Sequence, residues 1–220
     1  MSGFPGSPRL PKGALVALDS VHPQQTIAII GFQYNPDSLT RRLEARTAGG
    51  GEEGDRAEAL RLKGPPKETI TLTIEIDAID QTQQATLTPL GTGIYPTLAA
   101  LELLLYPTSQ SVIKNMALTA AAMLEIVPAE APMTLLVWGN ARILPVRLTS
   151  FSITEETFDT LLQPLRAKVE LSLQVLSYYD LQRTNFGHNL SLAQQIAKEV
   201  LAKTNTATVV GQAAVPANLF

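Results

Sequence analysis

The most regular hydrophobic pattern in the chain lies between residues 133 and 179, which read as three strands folded back on one another. Met133 to Gly139 is a short apolar run bounded by Pro132 and by Gly139-Asn140, the residues expected at a hairpin end. From Arg142 onward Ile143, Val146, Leu148, Phe151 and Ile153 interleave with polar Arg147, Thr149, Ser152 and Thr154, with a slip in the alternation at Pro145. Gln163 to Leu165 punctuate again, and then Ala167, Val169, Leu171, Leu173 and Val175 alternate strictly with Lys168, Glu170, Ser172 and Gln174. A period of two sustained this long predicts a strand with one face in a core and the other in water.

Glu68 to Ile79 repeats the pattern, with Ile70, Leu72, Ile74 and Ile76 against Thr71, Thr73, Glu75 and Asp77, and is the natural partner of Ala167 to Val175. Ala14 to Leu18 and Thr26 to Phe32 predict a hairpin, and Asn35-Pro36 stops the second of these strands. Asp37 to Thr47 is charged and reads as an exposed strand or a single helical turn. Pro96 opens a helix whose Leu98, Leu101, Leu104 and Leu105 would cover a sheet face, and Ser111 to Leu124 is a second helical candidate. After a polar connector over Tyr178 to Asn189, Ser191 with Gln194 three residues on forms a capping box for a helix over Leu192 to Lys203. Its stripe of Ile196, Val200 and Leu201 is too thin to hold a helix alone.

The expected architecture is β-rich α+β, an antiparallel β-barrel or sandwich with covering helices plus a C-terminal helix and tail. Three parts are expected. Residues 1–13 form a flexible arm, 14–181 the β domain with a helical insertion at about 95–126, and 182–220 a linker, helix and tail.

Composition narrows the function. The 220 residues are 45% hydrophobic but only 17% charged, below the roughly 25% usual for soluble domains, as expected where partner subunits cover much of the surface or where extra loops are buried. A net charge of −3 without a basic stripe argues against nucleic acid. The absence of cysteine removes disulfides, thiolate metal sites and cysteine nucleophiles, and suits assembly in a reducing cytoplasm. MSGFPGSPRLPKG has no apolar signal region, and Pro107 and Lys114 break the longest candidate span, so no membrane insertion is expected.

Candidate chemistry is sparse. His22 and His188 are far apart in loops, and neither sits in a catalytic motif. Glu155 and Glu156 are adjacent, so on a strand they face opposite sides. Asp77 and Asp80 read as solvated strand-end charges, and the Gly49 to Gly54 loop lacks the strand, helix and Lys-Ser/Thr pair of a phosphate cradle. Trp138, beside Leu135, Leu136 and Val137, reads as core and not as a sugar platform. No enzyme activity, cofactor, metal or catalytic residue is expected.

Four stretches carry a resemblance: Gly31 to Leu39 (GFQYNPDSL), Ala99 to Pro107 (AALELLLYP), Val137-Trp138-Gly139, and Val146 to Glu156 (VRLTSFSITEE). Together, over about residues 14 to 181, they resemble the baseplate hub and tube-adaptor proteins of phage-tail-like contractile injection systems, whose N-terminal domain is related to the inner-tube protein. The resemblance implies a tube-protein-like barrel and a ring, six-membered in relatives, in which sheets of adjacent subunits join. It also implies an adaptor between central spike and inner tube that templates the first tube layer, with spike, tube and baseplate wedge proteins as partners. Many relatives continue into a LysM module, whereas here a linker, one helix and a tail follow Asp180, so what that module does is not carried over. An inner tube or tube-terminator subunit, and a non-catalytic glycan- or peptidoglycan-binding module, are the alternatives.

Overall fold

The computed structural model describes residues 12–19, 25–47, 61–78, 93–107, 109–120, 131–139 and 141–210. Among these, seven strands form one antiparallel sheet: β1 (Ala14–Leu18), β2 (Thr26–Gly31), β3 (Leu39–Glu44), β4 (Lys67–Asp77), β5 (Met133–Trp138), β6 (Arg142–Phe158) and β7 (Pro164–Val175). Their order is β2-β1-β5-β6-β7-β4-β3. The β-rich α+β class is as the pattern predicts, but the sheet of the single chain is open, with β2 and β3 as its two edges.

Strand β6 joins two half-sheets. Its first residues, Arg142 to Val146, pair with β5, and Val146 to Phe158 pair with β7. The register shift in this strand falls between Leu148 and Ser150, not at Pro145, which stays in step opposite Leu135. This bulge exchanges the faces of the strand. Leu148 lies opposite Leu173, and beyond the bulge Phe151 and Ile153 lie opposite Leu171 and Val169, so both segments keep their apolar side chains on the core face.

The expected partnership of the two most regular strands holds in full. Glu68 to Asp77 pair residue by residue with Val175 to Arg166. Ile70, Leu72, Ile74 and Ile76 of β4 and Ala167, Val169, Leu171 and Leu173 of β7 are all buried in one cluster. Each fully buried Leu or Ile contributes about 1.5–3 kcal/mol of transfer free energy, so this double row dominates the core. Segment 37–47, read as strand or helical turn, contains β3, paired with β4 and largely exposed.

Helix α1 (Tyr95–Glu102) covers the core face with Leu98 and Leu101, joined by Ile94 before it and Leu104 after it. Leu105, expected on the same stripe, is exposed because the helix has already ended. Helix α2 (Ser109–Ala120) follows, its exposed Val112, Ile113 and Met116 turned from the core. Helix α3 (Phe186–Val210) is twice as long as the sequence suggests. Asn185, accepting from the Gly187 N–H at 2.8 Å, performs the capping assigned to Ser191. Ser191 lies inside the helix, where its hydroxyl accepts from the Tyr178 N–H at 3.0 Å. Of the arm expected over 1–13, residues 1–11 lie outside the described residues, as does the 49–54 loop; of the tail expected after Lys203, residues 204–210 are helical and belong to α3, and 211–220 lie outside the described residues.

Gly93 sets how α1 meets the sheet. Its φ is +54°, and a Cβ there would run into the Pro164 carbonyl oxygen, which also accepts the Ile94 N–H at 3.2 Å. Gly93→Ala is expected to lower stability by about 1–3 kcal/mol. Thermal unfolding checks this, at about 2–4 °C per kcal/mol for a chain of this size. An unchanged midpoint would contradict it.

Candidate assembly interface

The residues weighed for chemistry do not converge. His188 sits in the first turn of α3, its Nδ1 3.4 Å from Asn189 Oδ1 and its ring edge-on to Tyr178 at 6.3 Å. Glu155 pairs with Ala167 and Glu156 with Arg166, so they face opposite sides as expected, and Glu156 lies 3.4 Å from Lys168. Glu75 is held by Arg166 at 3.0 Å. His22 and Asp80 lie outside the described residues, and among the described residues no group of three or more His, Asp or Glu could hold a metal ion. Trp138 packs against the core, its ring 6.4 Å from that of Phe32 in an edge-to-face arrangement.

What the structure brings together instead is the stretch Phe32-Gln33-Tyr34-Asn35-Pro36. Phe32 is buried and donates its N–H to the Gly13 carbonyl at 2.8 Å, while Asn35 Oδ1 accepts from the Gly13 N–H at 3.2 Å. Gln33 reaches across the fold. Its Nε2 donates to the Asp77 carbonyl at 2.7 Å and its Oε1 accepts from the Asp77 N–H at 2.5 Å. Strand β3 reaches only as far as Leu72 along β4, so Asp77 lies beyond it. The side-chain amide there supplies one donor and one acceptor, as a neighbouring strand would. It clasps the chain just after β2 to the end of β4. The motif was legible in the sequence but this chemistry was not; an amide directly after an apolar strand is the only signal that could have suggested it.

The two edges differ in character. On β2, Ile30 is buried while Ile27 and Ile29 are 60% and 69% exposed, so this edge strand is apolar on both faces. The run TIAIIG carried that signal in the sequence. On β3, Arg42 and Glu44 pair at 2.9 Å on the surface, and Arg41 donates to Glu68 at 2.6 Å. The Glu68 carboxylate is almost fully buried, which is costly unless it is paired; Lys198 of α3 approaches its second oxygen at 3.6 Å. A second polar clip fixes the approach to α3. Asp180 accepts from the Ser177 N–H and hydroxyl and lies 2.8 Å from Arg46, which stacks over Tyr179. Burial pushes the Asp180 carboxyl up, but these hydrogen bonds from Ser177 and Arg46 outweigh it and hold the group below the usual carboxylate range.

Away from the core, β4 and β7 present Thr69, Thr71, Thr73, Glu75 and Lys168, Glu170, Ser172, Gln174. The result is a broad face rich in hydroxyls and in both signs of charge. At one end of the molecule the β6–β7 hairpin tip exposes Phe158, Leu161 and Leu162, with Asp159 Oδ1 accepting from the Leu161 and Gln163 N–H groups at 2.8 Å.

Among the described residues the chain is thus one antiparallel sheet whose end strands, β2 and β3, each pair on one side only. The particular family follows from comparison with known proteins. The model of the contractile injection system tube protein family matches residues 10–183, and the chain belongs to that family. It is therefore a structural, non-catalytic component of a phage-tail-like particle, whose family assembles into rings and tubes. No curated protein matches. Among solved structures, a chain of the virion of a native gene transfer agent particle is similar at 11% identity and a TM-score of 0.26, over 74% of this chain and 90% of that one, too loose a likeness to argue from. No helix among the described residues is long and apolar enough to cross a membrane.

Replacing Gln33 by Leu keeps most of its bulk and removes both bonds to Asp77. It is expected to cost about 1–3 kcal/mol, read by denaturant unfolding. Wild-type stability in this variant would show that the clasp does not hold the sheet.

Proposed function

We propose that the chain is a ring-forming adaptor of a contractile injection system, six copies joining the central spike to the inner tube and templating its first layer. The observation that carries the reading is the pair of unlike edge strands, each paired on one side only among the described residues. Pairing β3 of one copy with β2 of the next would satisfy both rows of backbone groups, cover Ile27 and Ile29, and repeat identically around a ring. The low charged fraction fits a surface largely taken up by such contacts. On this reading spike, tube and baseplate wedge proteins are the partners above, below and around the ring.

The adaptor position, as against a repeating tube layer, is supported by α3. The family match ends at residue 183 and α3 begins at Phe186, so this helix lies outside the part the family model covers, which supports reading it as an addition to the tube-protein unit. A repeating layer must fit its own copy above and below, whereas an adaptor meets different proteins on its two sides and has room for an addition. The reading as an inner tube or terminator subunit uses the same edges and rests on the family match itself. A glycan-binding module finds less support, since Trp138 is packed against Phe32.

Light scattering of the purified protein, followed by electron microscopy, tests the proposal. Single rings, or monomers that form rings only when spike or tube protein is added, are expected. Self-assembly into tubes of growing length would replace the adaptor by the tube subunit, and a monomer indifferent to both partners would contradict either reading.

A further inference from the structure

Helix α3 is seated the wrong way round for an amphipathic helix. Residues three, four and seven apart share one face, and on a helix that docks by burying apolar surface that face carries the hydrophobic side chains. On α3 the residues at this spacing that line the small cleft against the sheet are Ser191, Gln194, Gln195 and Lys198, all of them polar. The wall they face includes Leu144, Pro145 and Val175. The apolar positions Leu192, Ile196, Val200 and Leu201 are exposed instead. The packed end is the first turn, where Gly187 is buried against Leu181 and Met133. Past it the contacts to the body are polar: Ser191 accepts from the Tyr178 N–H at 3.0 Å, Gln194 Nε2 donates to the Ala141 carbonyl at 3.4 Å, and Lys198 stands 3.6 Å from Glu68. From Glu199 to Asn205 every residue is exposed.

We propose that α3 is a lever that pivots on its first turn and opens this cleft, with the contact of Lys198 to Glu68 as its latch. Burial of apolar surface is what binds a docked helix to its domain, and beyond the first turn α3 makes little use of it. The polar contacts that remain are exchanged for contacts with water when the helix lifts, so each holds it only weakly. The buried carboxylate does not oppose the motion. Glu68 keeps Arg41 at 2.6 Å when Lys198 leaves, so lifting strands no unpaired charge. The geometry favours a pivot. From Gly187 to Lys198 the helix runs about 16 Å, so a modest tilt carries Lys198 out of reach of Glu68 while the packed turn is hardly disturbed. The closed helix covers Leu144, Pro145 and Val175, and the lifted one gives water access to them. This device belongs to the single chain and stands whether or not copies form a ring.

The chain has no cysteine, so a single introduced thiol reports without background. Pro145→Cys, made in the full chain, places one at a fully buried position in the cleft wall. Its reaction with a small thiol reagent is expected to be well above the rate of global unfolding and little changed by low denaturant, as for a local opening. Adding Lys198→Met, or screening the latch with molar salt, is expected to speed the reaction about two- to fivefold. Lys203→Met, at an exposed position beyond the latch, should leave it unchanged. Hydrogen exchange of the unmodified chain gives a second reading that does not depend on the variant folding: amides from Leu192 to Lys203 are expected to be protected at least about tenfold less than those of β7. Labelling only at the rate of global unfolding, unmoved by Lys198→Met, would overturn the lever. So would amides of α3 as well protected as those of β7.

Discussion

Every strand at the edge of a sheet leaves backbone donors and acceptors that something must satisfy, and the architecture of this protein follows from where that need is met internally and where it is left open. Along β4 it is met twice. Strand β3 pairs with the first half, and past the end of β3 the side-chain amide of Gln33 takes both main-chain groups of Asp77. Phe32, Trp138 and the leucines of α1 share one hydrophobic cluster with the apolar rows of β4 and β7, so the core is closed although the sheet is not. What remains open among the described residues is one edge on β2 and one on β3. In a family whose members build rings and tubes, these are the surfaces an isolated subunit cannot complete.

The polar details support the same division. Arg41, Glu68 and Lys198 tie the β3 edge to α3 through one buried carboxylate, and Arg46, Asp180 and Ser177 fix the turn that leads into that helix. Glu68 and Lys198 of the first and Ser177 of the second line one small cleft between α3 and the sheet. Both hold elements at the rim of the sheet in defined positions, which is what an assembling subunit needs of its charges.

Much of this was legible in the sequence, for a physical reason. A strand half in water repeats every two residues, so β4, β7 and their pairing could be read from Ile70 to Ile76 and Ala167 to Val175 alone. Helix α1 was visible from Pro96 and its leucines. Features that depend on one residue's geometry were not. The irregularity of β6 was assigned to Pro145, the conspicuous residue, whereas the bulge lies at Thr149, between Leu148 and Ser150, where composition gives no hint. The start of α3 was misplaced because Ser191, with Gln194 three residues on, forms a capping-box pattern that Asn185 lacks, but its hydroxyl is taken by the Tyr178 N–H. The function of Gln33 is a contact between residues 44 apart in sequence, which no local pattern encodes.

The central claim is that β2 and β3 are the surfaces by which copies join. Hydrogen exchange of their backbone amides, measured by mass spectrometry on the free chain and on the assembled ring, addresses it directly. The account predicts that amides in Thr26–Gly31 and Leu39–Glu44 slow strongly on assembly, while those of β7, already paired on both sides, change little. Unchanged exchange at both edges in an assembled ring would contradict it.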